Sequence, residues 1–389
     1  MIDYENLVNR NIKRIKPSGI RKFFDIANEM DDVISLSVGE PDFHTPWHIR
    51  EAGIESLEKG RTSYTPNRGF LRLRAEISNF LERHYTVKYD PQTEILVTVG
   101  GSEAIDLALR SIVEPGDEVL IPEPSFVAYK PCAVMAGGKA VPVPLRGENG
   151  FKLTVEDLEP LVNERSKVLI FPYPGNPTGA TMHEEDMRAL CEWICQKDLF
   201  VISDEIYSEL TYDGDHVSIA SMPGMSERTL VINGFSKAFS MTGWRLGYGA
   251  GPKDLLEQMT KVHQFAIMCA PTTSQYAAIE ALRNCDRAVE EMRQEYNRRR
   301  RLVVASLREM GLSCNDPGGA FYVFPSIQST GMTSEAFCQD LLHHKKIAVV
   351  PGDAFGASGE GYVRISYAYS VEQLRLALGR IAEYMQEHP

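Results

Sequence analysis

Lys237 and Arg245 fall within one short stretch, Val231–Gly249 (VINGFSKAFSMTGWRLGYG), and their chemistry differs from that of the apolar residues around them. The run Leu230, Val231, Ile232 predicts a buried strand, so Lys237 leaves that strand near its end. A permanent ammonium is costly in such a place. Lysine is also the side chain whose pKa falls most readily on burial, which suits it to imine-forming nucleophilic work. Gly234 and Ser236 beside it are small enough for a bulky ligand to approach the backbone. Taken alone, a Ser-Lys pair also reads as an ordinary surface lysine on a loop.

Other polar residues sit where apolar runs end. The run Phe200–Ser203 delivers Asp204, an acid that needs a partner there or serves as a helix N-cap. Val97–Ala104 (VTVGGSEA) is a strand, a glycine pair and a helix start. Free N–H groups and the helix dipole make Gly101, Ser102 and Glu103 candidates for an anion site. The loop has neither the lysine of a Walker A motif nor G-x-G-x-x-G spacing, so neither nucleotide motif applies. Arg364, in GYVRISYA, lies inside an apolar strand, where arginine is paired or turned to solvent. Asn176 sits in Tyr173–Gly179 (YPGNPTG), whose prolines and glycines predict a rigid loop. Phe126, at another strand end, is explained as well by core packing as by a ligand. Gly39, in GEPDF, reads as a turn glycine, with Pro41 and Pro46 excluding a helix across it. Tyr64, in the turn-rich YTPNRG, reads as a loop aromatic.

Elements of two kinds must hold these residues. From Glu94 onward strands and helices alternate, with Ile95–Val99, Glu118–Ile121, Ala140–Pro144, Lys167–Phe171, Phe200–Ser203, Leu230–Asn233 and Leu246–Ala250 as strands. Runs such as VLIF and FVIS are continuously apolar, as strands covered on both faces are. This alternation predicts an α/β fold, a mainly parallel mixed sheet flanked by helices, with ligands at the carboxyl ends of its strands. Helices are expected at Trp47–Lys59, Phe70–Tyr85, Val155–Val162, Glu184–Lys197, Lys253–Ile267, Thr273–Arg283 and Arg287–Met310. Short strands and a last helix from Ser370 complete a smaller α+β domain. The expected division is 1–45 (an arm and part of the small domain), 46–285 (the large domain) and 286–389 (the rest of the small domain). The basic run Arg298–Arg301 reads as a solvated helix face.

Composition narrows the partners. A net charge of −12 over 389 residues opposes nucleic acid or an acidic membrane as the main partner. No run approaches a membrane span, and the first 24 residues have no apolar h-region, so the reading is cytoplasmic. Seven dispersed cysteines read as reduced thiols, and no His/Cys cluster completes a metal site, so no metal is expected.

Gly234-Phe235-Ser236-Lys237 followed by Gly243, Arg245 and Gly247 resembles the lysine-attachment motif of class I, fold-type-I aminotransferases that use pyridoxal 5'-phosphate. GEPDF, YTP, NPTG, SDEIY and VRISY extend the resemblance along the chain. It implies that Lys237 carries the cofactor covalently, then moves a proton from the substrate Cα once an amino acid displaces it. It implies that Asp204 keeps the pyridine nitrogen protonated and that Asn176 and Tyr207 reach the phenolic oxygen. Phe126 stacks on the ring. Gly101, Ser102, Glu103, Ser236 and Arg245 surround the phosphate, and Tyr64 reaches across a dimer interface to the neighbouring subunit's phosphate. Gly39, Asn176 and Arg364 bind the substrate carboxylate. The implied enzyme is an obligate homodimer that moves an amino group from an L-amino acid to a 2-oxo acid, 2-oxoglutarate by family habit, in ping-pong fashion.

The alternatives on the same fold are a lyase performing C–S β-elimination and a non-catalytic protein that binds the cofactor. Aspartate-specific members of the subgroup place a lysine after the glycine pair, where this chain has Ser102. The resemblance therefore leaves the amino donor open among aspartate, alanine, aromatic and N-acetyl-diaminopimelate types.

Overall fold

The continuously apolar runs become inner strands of one seven-stranded sheet. The computed structural model describes residues 2–17, 19 and 30–387. In chain order the first strands are β1 (Ile34–Ser35), β2 (Ile95–Thr98), β3 (Glu118–Glu123), β4 (Lys139–Pro144), β5 (Ser166–Phe171), β6 (Phe200–Asp204), β7 (Thr229–Gly234) and β8 (Gly247–Ala250). The large sheet has the order β2-β8-β7-β6-β5-β3-β4. Pairs from β4 to β7 are parallel, whereas β8 runs antiparallel to both β7 and β2. Between β7 and β8 the chain forms no helix that could carry it back across the sheet, so it reverses instead.

Alternation along the strands sorts side chains between two faces. Val168, Ile170, Ile202 and Ile232 pack with Ala104, Ala108 and Leu109 of the helix Gly101–Ile112. Leu169, Phe171 and Val201 turn the other way, to Leu190 and Ile194 of the helix Glu184–Gln196. Burial on both faces explains why these strands read as apolar blocks.

The C-terminal part supplies β9 (Tyr322–Val323), β10 (Ile347–Ala348), β11 (Val350–Pro351) and β12 (Val363–Ser366). Three of them form an antiparallel sheet, β11-β12-β9. β1 pairs in parallel with β10, and the Ser366 amide donates to Leu36 O at 2.9 Å, so the N-terminal lead-in joins the C-terminal strands.

Several expectations need correction. The helix expected at Val155–Val162 closes at Leu158. Arg298 and Arg301 are exposed as expected, but Arg299 and Arg300 of the helix Asp286–Glu309 are buried. Arg299 Nη1 donates to both Asp42 oxygens at 2.8 Å and its Nε to Glu295 at 3.0 Å. Arg300 Nη1 donates to Asp213 at 3.0 Å and to Pro317 O at 2.7 Å. The two guanidinium groups tie this helix to the segment after Gly39 and to the loop beyond β6. Of the predicted basic arm Arg14–Phe24, Ser18 and residues 20–24 lie outside the described residues. All seven cysteines are free, and among the described residues no helix is long and apolar enough to cross a membrane.

Candidate active site

At the carboxyl ends of β5, β6 and β7 lies a cavity of about 510 Å³. Crevices at this edge of an α/β sheet are where ligands bind. Lys237 reaches it because β7 ends at Gly234 and the chain turns through Phe235 and Ser236. The Lys237 Nζ donates to Gly39 O at 2.6 Å and lies 5.6 Å from the ring centres of both Tyr207 and Phe321. Burial pushes its pKa down to about 8. The nearby Arg364 pushes the same way, while Glu40 opposes. An amine held near 8 is available in neutral form close to neutral pH.

Asp204 is the last residue of β6 and is buried. Its Oδ2 accepts from the Tyr129 hydroxyl at 2.7 Å and its Oδ1 from the Ile206 amide at 3.3 Å. Burial raises its pKa against the pull of those donors. A carboxylate so placed gains from a cationic partner in the cavity. Tyr207, three residues on, is buried with its hydroxyl 2.9 Å from that of Tyr322.

An anion cradle forms where β2 meets the helix Gly101–Ile112. Gly100 takes φ +78°, and a Cβ there would lie 2.7 Å from Arg245 Nη2, so only glycine lets that guanidinium settle over the loop. Ser102, Ser236 and Arg245 all line the cavity. Glu103 does not: its carboxylate accepts from the Val99 amide and pairs with His263 Nδ1 at 2.7 Å. Its side chain faces away from the cradle, which leaves the main-chain amide as the group by which Glu103 can belong to the anion site. An acid aimed at an anion would oppose the cradle, and here it caps the turn instead.

Opposite the cradle, Arg364 of β12 is 2% exposed. Its Nη1 donates to Asn176 Oδ1 at 2.9 Å and its Nη2 to Ser37 O at 2.5 Å, while Nε is buried without a partner among the described residues. A buried guanidinium with an unused N–H is equipped for an anionic ligand. Gly39, Phe126 and Asn176 also line the cavity. Tyr64 does not line its own chain's cavity and is 82% exposed.

Among the lining residues that sequence reasoning missed are two buried tyrosines, Tyr129 and Tyr322. Tyr129 lies three positions after Phe126, a spacing that could have placed both on one face. Tyr322 stands in AFYVF, where nothing separates its hydroxyl-bearing ring from the packing aromatics beside it.

Residues 31–381 match the family model described as aminotransferase class I and II. The aspartate aminotransferase of Pyrococcus abyssi (strain GE5 / Orsay) is 49% identical over 96% of this chain and 97% of its own. Aromatic-amino-acid aminotransferase 2 of Thermococcus litoralis is 46% identical over 97% of each chain. The crystal structure of an aromatic aminotransferase from Pyrococcus horikoshii OT3 superposes with a TM-score of 0.90 at 47% identity, covering 94% of this chain and 99% of that one. The chain belongs to the class I and II aminotransferases. It transfers amino groups between amino acids and 2-oxo acids, and its cofactor is pyridoxal 5'-phosphate. The donor set fits that group: an amine of lowered pKa, a buried acid of raised pKa and an anion cradle share one cavity.

Proposed function

We propose that this chain runs ping-pong transamination from an L-amino acid to a 2-oxo acid, with 2-oxoglutarate as the acceptor. The observation that carries the reading is the convergence of Lys237, Asp204, Arg245 and Arg364 on one cavity. Lys237 would hold pyridoxal phosphate covalently at rest; its amine takes the proton from Cα of the amino acid in the first half-reaction and returns a proton to Cα of the 2-oxo acid in the second. Bound pyridoxal phosphate supplies the sink for the electrons left at Cα. Asp204 holds a proton at the pyridine nitrogen, with Tyr129 orienting the carboxylate. Asn176 and Tyr207 reach the phenolic oxygen, and Phe126 stacks on the ring. Ser102, Ser236, Arg245 and the main-chain amides of Gly101–Glu103 bind the phosphate. Arg364 grips the substrate carboxylate in bidentate fashion, with Gly39 and Asn176 beside it.

The active unit is a cytoplasmic homodimer in which Tyr64 reaches the neighbouring subunit's phosphate. Support comes from the exposure of Tyr64, at 82%, and of Phe265, at 87%, which leaves both rings open to a neighbouring subunit. Residues 46–285 act as the cofactor-binding domain, and 1–45 with 286–389 as the smaller one, a division the β1–β10 pairing supports. The similar proteins named above act on aspartate and on aromatic amino acids, and Ser102 argues against strict aspartate specificity.

A screen of single amino acids against the loaded enzyme, without acceptor, tests the reading. Loss of the visible band with equimolar 2-oxo acid release is expected, and 2-oxoglutarate should restore the band. Pyruvate and ammonia released without any acceptor would instead mark a lyase.

A further inference from the structure

Tyr322 touches two of the residues assigned above, Arg364 with its ring and Tyr207 with its hydroxyl. It comes from β9, whose register with β12 places Tyr322 opposite Ser366, two residues from Arg364. The Arg364 guanidinium carbon lies 4.4 Å from the Tyr322 ring centre and 4.9 Å from that of Phe355. The Tyr322 hydroxyl lies 2.9 Å from the Tyr207 hydroxyl. Tyr322 is 1% exposed, and its hydroxyl packs so closely on Gly39 that a Cβ there would collide with it.

Either hydroxyl of the pair can be the donor; the assignment of Tyr207 as donor to the cofactor's phenolic oxygen leaves its own oxygen to accept from Tyr322. With that oxygen accepting from Tyr322, the Tyr207 proton has to point elsewhere, and Tyr207 lines the cavity. We propose that Tyr322 is a positioning residue for both ends of the reaction: its hydroxyl aims the Tyr207 proton into the cavity, and its ring face fixes the plane of the Arg364 guanidinium. The proposal rests on the assignments of Tyr207 and Arg364 made under the proposed function.

The test compares wild type, Tyr322→Phe, Tyr207→Phe and the double variant, each loaded with pyridoxal phosphate and titrated by its visible absorbance. A hydroxyl donating to the phenolic oxygen competes there with the proton that produces the colour change, so weaker donation raises the midpoint. Tyr207→Phe should raise the midpoint by about one unit and Tyr322→Phe by about half of that, at the scale of one hydrogen bond. The double variant should match Tyr207→Phe alone, because Tyr322 acts through Tyr207. Tyr322→Leu, which also removes the ring face, should raise the KM for the amino acid about tenfold, whereas Tyr322→Phe leaves it within about twofold. Thermal unfolding and cofactor stoichiometry verify that each variant is folded. A Tyr322→Phe midpoint equal to wild type, with Tyr207→Phe shifted, overturns the proposal alone. Additive shifts in the double variant overturn it as well. If Tyr207→Phe itself leaves the midpoint unmoved, the role given to Tyr207 falls and this proposal with it.

Discussion

Arg364 Nη1 donates to Asn176 Oδ1 at 2.9 Å, joining β12 of the C-terminal part to the loop that follows β5. The bond helps set the guanidinium plane, while Nη2 is held by Ser37 O from the N-terminal lead-in. Three distant stretches of chain therefore fix one fork. Replacing Arg364 by lysine keeps the charge and loses the fork. Steady-state kinetics of Arg364→Lys should give a kcat/KM lower by about 100-fold, the scale of one or two charge-assisted hydrogen bonds. A variant with unchanged kcat/KM would remove Arg364 from substrate binding.

Lys237 should control loading of the apoprotein. Attack on an aldehyde needs the neutral amine, and burial sets the pKa of that amine to about 8. Stopped-flow uptake of pyridoxal phosphate should therefore quicken about tenfold per pH unit below that value and level off above it. Lys237→Ala should bind the cofactor without the visible band and lose activity by about 10⁴-fold or more. A loading rate flat from pH 6 to 9 would contradict the first part.

The Tyr129 hydroxyl pulls the Asp204 pKa down, in opposition to burial. Removing that donor in Tyr129→Phe lets the carboxyl pKa rise further, so the ionised form is lost at a higher pH as acid is added. The acid limb of kcat/KM should move upward in pH, with neutral-pH activity reduced about threefold to tenfold. Asp204→Asn, which removes the charge altogether, should cost about 10³-fold or more in kcat. An unmoved acid limb in Tyr129→Phe would sever the link between the two residues.

Arg300 is buried and serves Asp213 and Pro317 O together. Arg300→Met keeps the packing of its stem and leaves a buried carbonyl without its donor. Denaturant unfolding should show a loss of about 1–3 kcal/mol. Arg301→Met, at an exposed position of the same helix, should stay within about 0.5 kcal/mol of wild type. Equal effects at the two positions would contradict the buried role of Arg300.

Phe265→Asp puts a charge on a ring that is 87% exposed in the lone chain. Sedimentation should show the dimer population falling toward monomer, with activity falling alongside, because Tyr64 then loses its neighbour. A variant that sediments unchanged would place the interface elsewhere.

The sequence by itself determined the strand–helix alternation and the residues at strand ends. Apolar blocks such as VLIF and FVIS have one stable use, inside a sheet covered on both sides; Asp204 follows FVIS directly, and Lys237 comes a short turn after the Leu230–Ile232 run. The positions of Arg245 and Arg364 beside glycine or apolar residues were legible for the same local reason. Tertiary structure alone decided what those residues meet. The reversal of β8, the burial of Arg299 and Arg300, the turning away of Glu103 and the Tyr129–Asp204 bond join residues far apart in the chain. Local propensity and periodicity act over a few residues, whereas a buried donor is satisfied by whichever acceptor the packing brings near. Tyr322 makes the difference plain: in AFYVF it reads as one more packing ring, and only the approach of β9 to Tyr207 and Arg364 gives its hydroxyl and its face separate tasks.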